Sequence, residues 1–319
     1  MTLSAPRRAA LNPMENKMDN LAPTLCIYHG NCADGFSAAW AVWKKYGDAV
    51  KYHAGFYGDP PPDVSGEVVL MVDFSYKYDA LVEMSWKARR IIILDHHKTA
   101  RDDLARIHSF DGTKPGDFMA AIQDCWMHNI PEIVAWFDME KSGAVLAWEF
   151  CHPGKPVPDL LLHVQDRDLW RFDLPFTREI QACVSSHAYE FKTWSWLATR
   201  CSCTLSKQEM ANEGGAIERK HFKDIAELLK QTTRPMKIGG VVVQVANLPY
   251  TMSSDAAGAL AKDAPFGACY FDRPDARVFS LRSRGDGGAD VSEIAKSYGG
   301  GGHRNAAGFQ AALGWEGDP

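Results

Sequence analysis

Three short apolar runs constrain the fold of this chain more than any other feature. Residues 25–28, 68–72 and 91–94 each have the length and composition of a buried β-strand. Segments with helical spacing of apolar residues, at 37–46 and 78–89, separate them. Strands that alternate with helices predict a parallel sheet with right-handed crossovers. The first part of the chain is therefore predicted to be an α/β domain.

Acidic and histidine side chains stand where these strands end. A further apolar stretch, ending at Val164, leads into Asp166 in the same way. Because ligands bind at the carboxyl edge of an open parallel sheet, we expect these side chains to meet there. Crowded carboxylates and imidazoles would need a cation among them, and this mixture of donors suits one or two Mn²⁺ or Mg²⁺ ions. The side chains expected to meet at this edge are His29, Asp34, Asp73, Asp95, His96, His97 and Asp166.

Each of these residues, taken alone, also has a purely structural interpretation. An aspartate after a strand is commonly a helix N-cap, and Asp73 followed by Ser75 is compatible with a simple turn. His29 alone is more typical of a core histidine. The set taken together is hard to explain structurally, and it favours a metal site. Cys201 and Cys203 form a lone pair without partners and only weakly indicate zinc.

The carboxyl half of the chain predicts a second, smaller α/β unit from about residue 235. Its residues 299–302 are four glycines, which allow backbone N–H groups to approach an anion closely. A flexible linker is the alternative, but this run lies between an amphipathic helix and a strand start. The predicted phosphate-binding residues are Arg282, Arg284, Gly300, Gly301, Gly302 and His303.

At these residues the chain resembles the DHH phosphoesterases. The triplet Asp95-His96-His97 is similar to their signature, and residues 280–309 resemble the DHH-associated domain of the nanoRNase and 3′-phosphoadenosine-5′-phosphate phosphatase type. The resemblance covers residues 25–312. Residues 1–20 contain charges and prolines but no apolar core and are predicted to be a flexible tail. The resemblance implies a DHH catalytic domain (21–200), a helical linker (201–234) and a DHH-associated substrate-binding domain (235–319). The active site would lie in the cleft between the two domains.

The resemblance also implies a role for each matched residue. Asp73 would bridge two metal ions, with His29 on one of them. His97 would contact the scissile phosphate, and Asp95 would orient His96 from behind. The ligands of the other ion would be Asp34, His96 and Asp166.

The first motif departs from the family pattern. Many relatives carry two aspartates there, and Asp34 matches only the second. The place of the first falls on Asn31, Cys32 or Ala33. The number of bound metals is therefore left open, and Asp168 is an additional candidate ligand beside its interpretation as a surface or capping residue.

The acidic net charge of the chain favours a short substrate. The net charge of −5 argues against a basic surface for long nucleic acids.

No apolar run approaches the ~20 residues that span a bilayer, and the scattered cysteines predict a cytoplasmic protein with reduced thiols. Trp194 and Trp196 are candidates for base stacking, although core packing is the commoner role.

We therefore predict a Mn²⁺-dependent hydrolase that cleaves short oligonucleotides or dinucleotides to mononucleotides. The alternatives are a 3′,5′-nucleoside bisphosphate phosphatase, a single-strand exonuclease and a degenerate nucleotide-binding protein without turnover. A pure nucleic-acid-binding module would not explain the acidic strand ends. The oligomeric state is left open between a monomer and a homodimer.

Overall fold

The computed structural model describes residues 22–114, 116–285 and 287–319. The tail predicted at residues 1–20 lies outside the described residues. Within those residues, none of the helices has both the length and the hydropathy that crossing a bilayer requires.

A six-stranded sheet is formed by the amino-terminal part of the chain, and all its pairings are parallel. The strand order is β2-β1-β3-β4-β6-β5. The strands β3 and β4 are buried along their whole length, as expected for a parallel sheet covered on both faces. The predicted fold class is confirmed. The strands are β1 (Leu25–His29), β2 (Lys51–Gly55), β3 (Val68–Val72), β4 (Arg90–Asp95), β5 (His108–Ser109) and β6 (Ile133–Phe137).

Alternate residues of the central strands enter two separate clusters, one on each face of this sheet. Leu70 and Ile92 pack on one face, and Val69 and Ile91 on the other. The helices that accompany the sheet are α1 (Ala33–Tyr46), α2 (Tyr78–Ser85), α3 (Lys98–Asp103), α4 (Asp117–His128), α5 (Gly143–Cys151), α6 (Asp159–Asp168), α7 (Thr177–Ser185), α8 (Phe191–Ser202) and α9 (Thr204–Thr232).

A second six-stranded sheet, of mixed direction, follows the long helix α9. Its order is β11-β12-β10-β9-β8-β7. The rings of Phe279 and Phe309 stack across its centre with their centroids 4.8 Å apart. Its elements are β7 (Arg234–Ile238), β8 (Val241–Asn247), α10 (Tyr250–Leu260), β9 (Gly267–Asp272), β10 (Arg277–Arg282), α11 (Val291–Ser297), β11 (Gly301–His303) and β12 (Ala306–Ala311).

Side chains that directly follow the Asp95-His96-His97 triplet connect the two sheet units. The Nζ atom of Lys98 lies 3.2 Å from an Asp290 oxygen and 3.1 Å from a Glu293 oxygen. The hydroxyl of Thr99 accepts a hydrogen bond of 3.1 Å from the backbone N–H of Gly302. These contacts place strand β11 against the carboxyl edge of the parallel sheet.

Candidate metal centre

The ring of His96 is the centre of a buried cluster at that edge. Its Nε2 atom lies 3.0 Å from Asp73 Oδ1, 3.6 Å from Asp34 Oδ2 and 3.5 Å from Asp168 Oδ2. Asp34, Asp73 and His96 are each about 1% exposed. Three carboxylate oxygens therefore surround one buried imidazole nitrogen.

Two local features place Asp73 in this cluster. The residue follows β3 and has a φ of 55°, a left-handed conformation that Asp adopts more easily than most residues. The first residue of α5, Gly143, packs directly on it: a Cβ added there would lie 2.3 Å from the Asp73 Cβ. Only glycine at position 143 lets the helix begin this close to the site.

The amino terminus of α5 also holds Asp34. The backbone N–H groups of Gly143 and Ala144 donate to its two carboxylate oxygens at 2.7 and 3.0 Å. A helix amino terminus favours a negative charge at this position. The carboxylate is thus fixed in orientation before any ion binds.

A second group of potential ligands shares Asp73 with the first. The Nδ1 atom of His29 lies 3.5 Å from Asp73 Oδ2, whereas His96 contacts Oδ1. The His97 ring completes this group, with its Nδ1 atom 4.0 Å from Asp73 Oδ1. Oδ1 of Asp73 therefore faces His96 and His97, whereas Oδ2 faces His29, so the two oxygens have different neighbours, as those of a bridging carboxylate would.

Asp95 differs from its predicted role. Its Oδ1 atom contacts the Nδ1 atom of His97 at 2.7 Å, and it accepts from the backbone N–H groups of His96 and His97 at 2.7 and 3.2 Å. Because Asp95 bonds to the ring of His97 and only to the backbone of His96, it orients His97 rather than His96.

The structure separates Asp166 from the cluster. Its carboxylate accepts hydrogen bonds from Asp173 N at 2.9 Å, Leu174 N at 3.1 Å and Thr177 Oγ1 at 2.6 Å, and so shapes the loop after α6. Asp168, two residues later in the same helix, faces His96 instead. Positions two apart on a helix point to nearly opposite sides, so only one of the two can face the cluster.

His303 approaches the cluster from the second sheet unit. The centroid of its ring is 4.6 Å from those of both His96 and His97. Burial, followed by the neighbouring His97 and His96, lowers the pKa of His303 well below its usual range. The predicted substrate-binding histidine therefore lies beside the candidate metal centre.

The glycines at 300–302 form hydrogen bonds and close packing contacts with the rest of the chain. The N–H of Gly300 donates to Ala295 O at 2.9 Å, and that of Gly302 to Thr99. A Cβ on Gly300 would lie 2.1 Å from Gly308 O, and one on Gly301 would lie 2.6 Å from Thr99 Oγ1. The backbone N–H groups of Gly300 and Gly302 are therefore already hydrogen-bonded within the protein and, contrary to the prediction from the sequence, are not free to bind a phosphate. These glycines instead allow close packing of the strands.

The two predicted arginines occupy different environments. Arg282 is partly buried, and its Nε donates to Ser254 Oγ at 3.1 Å. Burial, followed by the nearby Arg167, lowers the pKa of Arg282 to about 10. Arg167 pairs with Asp255 of α10 at 3.1 Å. Arg284 is exposed. The partly buried positive charge is therefore carried by Arg282 and its neighbour Arg167, not by the pair Arg282 and Arg284 that was predicted.

The donor set fits a divalent cation. Burial, followed by Asp73 and Asp168, raises the pKa of Asp34 well above its usual range. Burial alone would lower the pKa of His96, but Asp73, Asp168 and Asp34 raise it to about 10. Among the described residues, the buried Asp168 Oδ2 atom has no hydrogen-bond donor. A cation bound between these oxygens and the Nε2 of His96 would relieve the repulsion and replace the proton on that ring.

Several residues at this site were not predicted from the sequence. Tyr57 lies beside His29 with ring centroids 5.3 Å apart and is 45% exposed. Gly143 acts through close backbone packing and Thr99 through its side-chain hydroxyl, and a single sequence carries no signal for either contact. Cys32, already considered from the sequence at the place of the missing aspartate, is the N-cap residue of α1, two positions before Asp34; burial, followed by Asp73, Asp168 and Asp34, raises the pKa of its thiol well above the usual range. The stacking candidate Trp194 is fully buried in the core.

Comparisons with known proteins give one curated relative and several solved structures. No family model matches the chain. Protein R106 of Acanthamoeba polyphaga mimivirus, described as uncharacterized, is 31% identical over 311 residues; the match covers 89% of this chain and 66% of the relative. The chain thus spans slightly less than two thirds of that relative's length.

The structural likenesses are distant. A pGpG-specific phosphodiesterase, PggH, from Vibrio cholerae is 10% identical with a TM-score of 0.36, covering 92% of this chain and 94% of that one. The DHH domain of a protein described as a member of a ribosomal protein family is 13% identical with a TM-score of 0.47, covering 90% and 82%. RecJ from Thermus thermophilus, in complex with Mn²⁺, is 14% identical with a TM-score of 0.39, covering 94% and 52%. All three TM-scores are below 0.5, so the interpretation that follows rests on the residues of the site.

Proposed function

We propose that this chain is a DHH phosphoesterase, a metal-dependent hydrolase that cleaves short oligonucleotides or dinucleotides to mononucleotides. The observation that carries the proposal is the convergence of Asp34, Asp73 and Asp168 on the Nε2 atom of His96. Oxygen-rich sites with one imidazole suit Mn²⁺ or Mg²⁺, and we favour Mn²⁺. Asp34, Asp73, His96 and Asp168 would hold one ion, and His29 and Asp73 a second, which leaves the ring of His97 free to contact the substrate.

Bound divalent ions would supply Lewis-acid stabilisation of a phosphoryl oxygen and lower the pKa of a nearby water. The protein's own contribution is orientation. The hydrogen bond between Asp95 and the Nδ1 atom of His97 fixes that ring. Its Nε2 atom is then the ring atom that can meet an oxygen of the scissile phosphate. We infer that Asp95 and His97 work as a pair on the phosphate.

The second sheet unit, together with Arg167 of α6, would bind the rest of the substrate. His303, with its lowered pKa, can donate or accept a hydrogen bond from a neutral ring beside His97. Arg282 and Arg167 concentrate positive charge near the cluster, partly balanced by Asp255. A phosphate group or a nucleotide end would complete that charge balance, because guanidinium groups bind phosphate oxygens bidentately.

A panel of substrates tests this proposal. The protein is incubated with Mn²⁺ and, separately, with a 5′-phosphorylated dinucleotide, a five-nucleotide RNA, a long single-stranded DNA and 3′-phosphoadenosine-5′-phosphate. We expect mononucleotides from the two shortest nucleic acids, and no product after a chelator removes the metal. Phosphate release from the bisphosphate alone would instead indicate a phosphatase, and degradation of the long strand an exonuclease. Bound metal without turnover of any substrate would contradict the proposal.

A further inference from the structure

A second cluster of metal-ligand side chains lies on helices that contribute nothing to the site described above. Cys183 belongs to α7, His187 follows the end of that helix, and Glu213 belongs to α9. One ligand atom from each lies within 4.8 Å of the other two. Thiolate, imidazole and carboxylate together are a donor set that suits zinc.

The local fold brings the three side chains together. The helical turn continues past Ser185, because the N–H of His187 donates to Val184 O at 3.1 Å. Cys183 and His187 are therefore four residues apart on one side of this turn. The third side chain arrives because Gly214 packs against the backbone of α7: a Cβ there would lie 1.7 Å from Glu179 O. This close crossing of α7 and α9 brings the neighbouring Glu213 to Cys183.

Among the described residues, the Nε2 atom of His187 is buried without a hydrogen-bond partner. Buried polar atoms are rarely left without partners, so this one calls for a ligand or another explanation. The His187 ring is held by an edge contact with Trp196 at a centroid distance of 5.4 Å. Cys183 is fully buried.

We propose that Cys183, His187 and Glu213 form a second metal site that takes Zn²⁺ and links α7 to α9. Tetrahedral zinc sites separate their ligand atoms by roughly 3.3–3.8 Å, given the usual bond lengths. The observed limit of 4.8 Å leaves a small adjustment. Glu213 can make it, because its side chain is 43% exposed.

Arg200 is the charged neighbour of this cluster. Its terminal nitrogens lie 3.4 and 3.5 Å from Glu213 Oε2, at the long limit for a hydrogen bond. Burial, followed by Glu213, raises the pKa of the Cys183 thiol to about 12. On binding, the Cys183 S–H bond would break, the Zn–S bond would form and the proton would leave to solvent. Arg200 would then offset part of the negative charge of the thiolate and carboxylate.

Cobalt titration of the full-length protein tests the site, because a Co²⁺–thiolate bond gives a charge-transfer absorption that oxygen and nitrogen ligands do not. The protein is kept reduced with a phosphine and titrated with Co²⁺, then with Zn²⁺ as competitor. We expect the thiolate absorption in the wild type and in Cys32→Ser, its loss on adding Zn²⁺, and its absence in Cys183→Ser. Cys32→Ser is the matched control, since Cys32 lies two positions before Asp34 of the other cluster.

A further variant covers the case in which Cys183→Ser fails to fold. Glu213→Gln changes a partly exposed side chain and keeps every thiol, and we expect it to need at least about tenfold more Co²⁺ for the same absorption. The proposal is overturned if the wild type shows no thiolate absorption, if Cys183→Ser keeps it, or if Glu213→Gln titrates like the wild type. Because the readout is absorption rather than hydrolysis, it is independent of the proposed function.

Discussion

Asp73→Asn is expected to abolish phosphoester hydrolysis while the protein stays folded. Asp73 is the residue shared by both groups of potential ligands, since its Oδ1 faces His96 and its Oδ2 faces His29. Removing its charge should lower kcat/KM by at least about 10²–10³-fold, the size seen when one stabilising group is lost from an active site. Asparagine is preferred to alanine because the residue has a φ of 55°, which Asn tolerates.

The control for this variant is Asp63→Asn. Asp63 is exposed. Among the described residues, its carboxylate accepts hydrogen bonds only from Ser65, at 3.1 Å from the backbone N–H and 2.7 Å from the hydroxyl. Its loss should leave kcat/KM within about twofold of the wild type, in line with surface substitutions generally. Thermal unfolding followed by circular dichroism checks that both variants are folded. A folded Asp73→Asn protein with kcat/KM within about tenfold of the wild type would refute the assignment of Asp73.

Asp168→Asn is expected to weaken metal binding, whereas Asp166→Asn is expected to lower the stability of the fold. Asp168 faces His96 at 3.5 Å, so the Asn variant should bind Mn²⁺ about 10–100-fold more weakly and lose activity accordingly. Asp166 accepts three hydrogen bonds in the loop after α6. Its Asn variant should lose about 1–3 kcal/mol of the free energy of unfolding, because charged hydrogen bonds are weakened.

Isothermal titration with Mn²⁺ and denaturant unfolding, applied to both proteins, separate the two effects. The structure-based assignment is contradicted if Asp166→Asn loses Mn²⁺ affinity while Asp168→Asn keeps it. That result would restore Asp166, the ligand predicted from the sequence, and would mean that the last turn of α6 rotates when metal binds.

The sequence was most informative where the chemistry changes within a few residues. The apolar runs at 68–72 and 91–94 stop abruptly at Asp73 and Asp95, and both runs are buried strands whose ends lie side by side. Parallel pairing brings such ends together whatever the intervening sequence, so the cluster of Asp34, Asp73 and His96 could be predicted. Strand β6 has a comparable apolar run, IVAWF, and could have been predicted in the same way, although it was not.

The sequence was less informative about side chains whose position depends on how a helix is rotated or on a contact between residues far apart in the chain. Asp166 and Asp168 differ only in which side of α6 they occupy, and that depends on how the helix packs. The choice of Asp95 between two adjacent histidine rings is likewise made by the tertiary structure. The bond between Thr99 and Gly302 joins residues 203 positions apart, and β2, which is mostly exposed or half-buried, has no apolar run to reveal it.

The most direct test of the account is the anomalous difference density of Mn²⁺-soaked crystals. We predict a peak bonded to the Nε2 atom of His96 and to carboxylate oxygens of Asp34, Asp73 and Asp168. Occupation of the second group would add a peak roughly 3.5–4 Å away, beside His29 and Asp73. A fully soaked crystal with no Mn²⁺ peak at His96, or with the ion bound to Asp166 and away from Asp73, would contradict the central claim.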